Sequence, residues 1–270
     1  MMRILLKALQ LLYVIYAVII FIALMIPVFI WSLLVLPFGR IKGGNLIYYA
    51  CMAWADAWCL LVGIWHKNIY VEKPRKDQSY IYVVNHISYI DSAIIPKTVR
   101  HAVRPLGKVE MAKIPIFGFI YKRAIVTVDR SSAANRTKSV QILKSILRKG
   151  ISVLVFPEGT FNMTHKPLKE FYDGAFRIAI ETRTPIKPVL LLDAYDRMHY
   201  RSIFSLNPGK SRSLFLPEVP VEGLGVADVA SLKLKVYQIM EAALVQYGAK
   251  WIASHPDNYG DQGEKNHKAS

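Results

Sequence analysis

Tyr80-Ile-Tyr-Val-Val-Asn-His-Ile-Ser-Tyr-Ile-Asp91 decides the fold class, because an apolar run ends in a polar turn and leads toward a helical start. Residues 80–84 have the β-branched and aromatic composition of a buried strand, and Asn85 ends it. On an uninterrupted α-helix, residues five apart such as His86 and Asp91 sit roughly 140° around the axis, so their side chains would not meet. A strand that ends in a turn and then opens a helix brings them together. In that arrangement Asp91 holds one ring nitrogen of His86 as a donor and leaves the other as an acceptor for a substrate proton.

Short apolar segments alternate with amphipathic ones along the following chain. Strands are expected at 80–84, 124–128, 151–156, 186–192 and 213–216, and helices at 136–149, 174–182 and 230–247. This alternation predicts an α/β fold, a layered and mainly parallel sheet flanked by helices. In such sheets ligands gather beyond the carboxyl ends of the strands. His86 follows the first of these strands, and Pro157-Glu158-Gly159-Thr160 follows the third.

Ahead of this domain, Ala8 to Gly39 is a run of 32 uncharged residues, flanked by Arg3 and Lys7 and by Arg40 and Lys42. As one helix it would measure roughly 48 Å, against roughly 30 Å of bilayer hydrocarbon, and Pro27 is the natural place for a kink or turn. The run is far longer than the apolar region of a signal peptide. Equal positive charge on both flanks leaves its orientation open. A second apolar run, residues 46–65, has Asp56 as its only charge and carries Trp54, Trp58, Leu61 and Trp65 at helical spacing. Those indoles suit a membrane–water interface as well as packing on the soluble domain. The two runs predict a membrane-embedded helical hairpin in one leaflet, with a two-span bundle as the alternative. The expected division is membrane-anchoring helices over 1–70, an α/β domain over 71–253 on the cytoplasmic face, and a polar tail over 254–270.

Thirty-five Lys and Arg against nineteen Asp and Glu give a net charge of +16, so the surface attracts polyanions. With 53% hydrophobic residues and no Lys/Arg block interleaved with aromatics, membrane lipid is the expected partner and nucleic acid is not. Cys51 and Cys59 have no His or Cys at metal-ligand spacing, and no metal is expected. The chain lacks a Gly-x-Ser-x-Gly elbow and a Gly-x4-Gly-Lys-Ser/Thr loop, which argues against a serine hydrolase built on Ser88 and against nucleotide chemistry.

Blocks with chemical potential follow in order: Asn85-His86-x4-Asp91; residues 104–130 with Gly107-Lys108-Val109-Glu110 and Ile114-Pro115-Ile116-Phe117-Gly118; Phe156-Pro157-Glu158-Gly159-Thr160; and Pro185-Ile186-Lys187-Pro188-Val189. In order and content they resemble the glycerolipid acyltransferase family, in particular its 1-acyl-glycerol-3-phosphate acyltransferase type. The resemblance covers roughly residues 79–192. It implies that His86 is the base, that Asp91 orients it, and that an acyl group passes from acyl carrier protein or acyl-CoA, as co-substrate and without a cofactor, to the free hydroxyl of a lysolipid. It further implies acceptor binding by Lys108, Glu158, Gly159 and Thr160, assisted by Arg104 and Arg130, and an oxyanion or structural role for Gly107 and Pro188. Independently of the resemblance, a tight turn after a strand would expose the Glu158 carboxylate together with backbone N–H groups, and the resemblance implies that this carboxylate accepts from acceptor hydroxyls. Family members acting on lysophosphatidate commonly place a basic residue after Glu-Gly-Thr, where this chain has Phe161 and Asn162. Either the arginines and lysine of the second block take over the phosphate of 1-acyl-glycerol 3-phosphate, or the acceptor is another lysolipid without a bare phosphate monoester; a membrane-anchored lipid-binding protein without catalysis is the non-enzyme alternative.

Overall fold

The structure, a computed structural model, describes residues 2–128 and 133–252. The chain opens with two helices, α1 (Met2–Leu34) and α2 (Gly44–Leu61), followed by β1 (Ile64–Tyr70), β2 (Ile81–Val84), α3 (Asp91–Thr98) and β3 (Val103–Lys108). Then come α4 (Phe117–Ala124), β4 (Val126–Val128), α5 (Ala133–Leu147), β5 (Ser152–Val155), α6 (Gly174–Thr182), β6 (Ile186–Leu191), the single turn α7 (Ala194–Arg197), β7 (Gly209–Phe215) and α8 (Val229–Gln246). The strands form one sheet in the order β1-β7-β6-β2-β5-β3-β4. Every neighbouring pair is parallel except β6 and β7.

All four residues of β2 are buried, although consecutive side chains point to opposite faces, so both faces of the sheet are covered. Beside it β6 is likewise buried along its whole length. The α/β fold with a mainly parallel sheet is therefore as the sequence predicts, and the helix expected at 174–182 coincides with α6. Two strands were not expected. β3 hides behind Arg104, Pro105 and Gly107, and β1 behind its polar alternate residues His66 and Asn68. β1 lies within the 1–70 stretch read as membrane anchor, yet it pairs with β7 over its full length.

The first two helices form a hairpin, but its bend is not at Pro27. α1 continues through Pro27, and the chain turns in the 3-10 and π turns of Leu36–Phe38 and Gly39–Gly43. Pro27 removes one helical hydrogen bond, and the packing of Met25, Val28 and Val35 with Ile47, Ile120 and Ala124 holds the helix on either side of it. The indoles of α2 face α1: Trp58 Nε1 donates to the Ala17 carbonyl at 3.0 Å and Trp54 Nε1 to that of Phe21 at 3.4 Å. Trp65 does not belong to this row. α2 ends at Leu61, Gly63 turns the chain with φ 68°, and Trp65 stands on β1, 66% exposed. α1 is also tied to the α/β domain, because Tyr13 Oη donates to the Val62 carbonyl at 2.8 Å and Gln10 Nε2 to that of Leu206 at 2.6 Å. Its other face is open, with Ile4, Leu12, Ile19 and Leu34 each more than half exposed. Among the described residues α1 alone is long and apolar enough to cross a membrane. α2 instead packs on α1, α3, α4 and β1, and its Asp56 pairs with Lys97 and Arg100 at 2.8 Å each.

The polar residues of β1 are matched from β7 and α3. His66 Nε2 lies 2.9 Å from Asn68 Oδ1 and Nδ1 lies 3.0 Å from Ser211 Oγ. Asn68 Nδ2 donates to the Thr98 carbonyl at 3.0 Å, which leaves Asn68 Oδ1 to accept and fixes the proton of neutral His66 on Nε2. Burial pushes the pKa of His66 down to about 4. A group that binds its proton less readily when folded contributes stability above its unfolded pKa of about 6.5, and this is lost as pH falls toward the folded value. Thermal unfolding in detergent should therefore show His66 costing up to about 3 kcal/mol between pH 6.5 and pH 4. His66→Gln should lose less stability than the wild type over that interval; an identical loss in both would contradict the neutral buried ring.

Candidate active site

β2 ends at Val84, and Asn85 fastens the chain as it leaves the sheet. Its amide oxygen accepts from Leu191 N at 2.7 Å, and its amide nitrogen donates to the Leu191 carbonyl at 3.3 Å, which ties the exit of β2 to the end of β6. The backbone then turns, and α3 starts at Asp91. His86 Nδ1 lies 2.8 Å from Asp91 Oδ2. The same oxygen accepts from Ile87 N at 2.9 Å and Ser88 N at 3.0 Å, so one carboxylate oxygen shapes the turn and holds the ring. With Nδ1 donating to it, Nε2 carries the imidazole lone pair.

Asp91 is fully buried, whereas the His86 side chain is 23% exposed, so the ring is reachable and its partner is not. The imidazole stacks on Phe156 with centroids 4.0 Å apart and planes inclined by 19°, and Phe161 meets it edge-on at 4.4 Å. Tyr89 touches Phe161 in turn at 4.7 Å. A positive charge formed on the imidazole would face the negative π surface of Phe156.

Glu158 departs from the sequence expectation. Its residue is 2% exposed, so its carboxylate is not presented to an acceptor. Oε1 accepts from His86 N at 2.8 Å and Oε2 from Lys169 N at 2.9 Å. The carboxylate thus bridges the His86 turn and the segment that follows the β5 loop. Burial raises its pKa to about 7; the charge of Asp91 adds to the rise, and the two backbone donors oppose it. Asn162 N completes the junction by donating to the His86 carbonyl at 2.7 Å. Gly159 makes the sharp turn with φ 72°, a conformation that disfavours any residue with a Cβ.

The remaining sequence candidates divide by position. Lys108 ends β3, whose carboxyl end lies beside that of β5, and its side chain is exposed. Thr160 Oγ1 accepts from Lys169 Nζ at 2.7 Å. Arg104 is buried at 3% exposure and directs its guanidinium to Asn45 Oδ1 at 2.6 Å and the Ile41 carbonyl at 3.0 Å, so it fastens the helical hairpin and is not available to an acceptor. Gly107 leaves room for a neighbour, since a Cβ there would stand 1.9 Å from Tyr121 Oη. Pro188 lies within buried β6 opposite Val83, a packing position. Ser88 donates its hydroxyl to the Met198 carbonyl. Arg130 lies outside the described residues. Lys169 joins the site without a mark in the sequence, and Asn85, Phe156 and Asn162, named from the sequence without a role of their own in the site, join it as well, because each acts through a backbone group, a ring face or a partner distant in sequence. Among the described residues no group of three or more His, Cys, Asp or Glu is arranged to hold a metal ion.

Residues 67–192 match the family model described as Acyltransferase. A 1-acyl-sn-glycerol-3-phosphate acyltransferase of Cocos nucifera is 28% identical over 179 residues, which cover 63% of this chain and 56% of that protein. The protein of the same name from Escherichia coli is 29% identical over 64% of this chain and 71% of its own length. Among solved structures, the crystal structure of the 1-acyl-sn-glycerophosphate acyltransferase PlsC from Thermotoga maritima aligns with a TM-score of 0.69 at 20% identity, over 93% of this chain and all of that one, a likeness of fold. The matched segment holds β2, β5 and β6 with the paired His86 and Asp91, and it is through this segment that the chain is similar to the acyltransferase family.

Proposed function

We propose that the protein is a membrane-bound O-acyltransferase that moves an acyl group from a thioester to the free hydroxyl of 1-acyl-glycerol 3-phosphate, giving phosphatidic acid. The observation that carries this reading is the Asp91–His86 contact of 2.8 Å, which sets the lone pair of an accessible imidazole at the carboxyl end of β2. The names of the relatives supply the substrate class.

In this reading the acceptor hydroxyl donates its proton to His86 Nε2 as its oxygen attacks the thioester carbonyl carbon. The tetrahedral intermediate collapses by breaking the carbon–sulfur bond, and the thiolate leaves with the electron pair. It needs little help, since a thiol has a pKa of about 8.5, and the proton on Nε2 can return to it. Asp91 keeps Nδ1 protonated throughout and stabilises the transient imidazolium. Glu158 acts on the turn that carries His86 rather than on substrate. In this reading Lys108, exposed at the end of β3, meets the acceptor. Acyl carrier protein and acyl-CoA are both acidic and suit a chain of net charge +16. The open apolar face of α1 would enter lipid while its packed face stays on the α/β domain.

A second reading is favoured by Phe161, whose ring occupies the space beside His86 at 4.4 Å: the acceptor would be a lysolipid without a phosphate monoester. Purified protein given a long-chain acyl-CoA or acyl carrier protein with lysophosphatidate, lysophosphatidylcholine or monoacylglycerol would decide between them by mass spectrometry of the product. Preference for lysophosphatidate supports the first reading, and preference for either other acceptor overturns it.

On the first reading His86→Ala should lower kcat by about 10²–10⁴ and stability by about 1.5–3 kcal/mol, because one of the three donors to buried Asp91 is lost. Near-normal turnover would remove His86 from the role of base. Glu158→Gln should lower kcat by roughly tenfold and stability by about 1–3 kcal/mol, because an amide can accept only one of the two backbone N–H bonds. A raised KM with unchanged kcat and stability would return Glu158 to direct acceptor binding.

A further inference from the structure

Lys169 is a cation whose position is locked to the same junction as His86. Its backbone N donates to Glu158 Oε2 at 2.9 Å, and Glu158 Oε1 holds His86 N at 2.8 Å, so a single carboxylate fixes both residues. Its ammonium is then anchored a second time, on Thr160 Oγ1 at 2.7 Å. Thr160 immediately precedes Phe161, whose ring edges the imidazole. An ammonium has three donors, and one hydroxyl oxygen satisfies only one. Among the described residues Lys169 forms no ion pair, whereas Lys97, Lys144, Lys187, Lys233 and Lys250 each hold a carboxylate. Lys169 also lines an open hollow of about 520 Å³ with Lys166, Leu168 and Lys233, so it borders free space.

We propose that Lys169 grips the phosphate of the acceptor lipid, so that the headgroup is held from the Thr160 side of the loop and Phe161 packs against His86 instead of contacting the anion. The inference rests on the acyltransferase reading above and adds a specificity residue to it. A charge-assisted hydrogen bond to a phosphate oxygen is among the stronger polar contacts available, and the anchor on Thr160 lowers the entropy lost when the side chain engages. Phe161 and Lys169 then divide two tasks: one shields the base and the other selects the charge.

The selectivity ratio, kcat/KM for lysophosphatidate over kcat/KM for monoacylglycerol, is the readout. Lys169→Ala should lower it at least about tenfold, mostly through KM for lysophosphatidate, while Lys169→Arg restores most of it. The substitution keeps the backbone bond to Glu158, so the His86 turn is preserved. Lys149→Ala, at the amino end of β5 and so opposite the carboxyl ends that carry the site, should leave the ratio as it was. An unchanged ratio in Lys169→Ala, or an equal fall for both acceptors, overturns the proposal. Calorimetric binding of lysophosphatidate to the full chain in detergent separates the two layers. If the wild type binds but does not turn over and Lys169→Ala loses the binding, the grip stands and the acyltransferase reading falls. If Lys169→Ala turns over and binds as the wild type does, the reading stands and the grip falls.

Discussion

One carboxylate oxygen, Asp91 Oδ2, organises the site. It is fully buried at the start of α3 and accepts from His86 Nδ1, Ile87 N and Ser88 N within 3.0 Å. Burying a charge is costly unless it is matched, and the three N–H donors supply that match, each hydrogen bond to a charged group being worth about 1.5–3 kcal/mol. The other oxygen, Oδ1, is buried without a hydrogen-bond partner, so the matching groups crowd onto the side that faces His86. The turn cannot relax without stranding this charge. That restraint is what allows a spacing unsuited to a helix to become a fixed contact.

A second buried carboxylate extends the restraint outward. Glu158 ties the His86 turn to Lys169, and Asn162 N returns a bond to the His86 carbonyl, so the loops after β2 and β5 move as one body. These strands are adjacent and parallel, and their carboxyl ends emerge side by side. The two acids have different work. Asp91 orients the imidazole, while Glu158, its pKa raised to about 7 by burial, holds backbone. Pre-organisation of this kind places a catalytic group before substrate arrives. The hairpin is joined to the same body from below, because Arg104 on β3 reaches Asn45 and Ile41.

How much of this could be read from the chain depends on where each signal sits. β2, the turn and the first residue of α3 were legible because an apolar run, Asn85 and a carboxylate follow one another locally. The α/β class was legible for the same reason, as strands β5 and β6 are mostly apolar short runs, each buried along its whole length. β1 was not: its inward positions are His66 and Asn68, whose partners Ser211 and Thr98 lie far away in sequence. Trp65 was joined to the preceding helix because its spacing from Trp58 fits seven residues, and only the positive φ of Gly63 shows the break. Glu158 looked like an exposed turn residue, since backbone N–H groups, which every residue has, leave no mark in a sequence. The anchoring of Lys169 on Thr160 was hidden likewise, as nothing in its neighbours marks it.

The central claim is that Asp91 holds His86 with its proton on Nδ1 and its lone pair on Nε2. Nitrogen-15 spectra of the histidine-labelled full chain in detergent near neutral pH, with the His86 signals identified by their loss in His86→Ala, test it most directly. The predicted result is a protonated Nδ1 and an unprotonated Nε2 for His86, with that preference lost in Asp91→Asn. A neutral ring protonated on Nε2, or a tautomer indifferent to Asp91, would contradict the account.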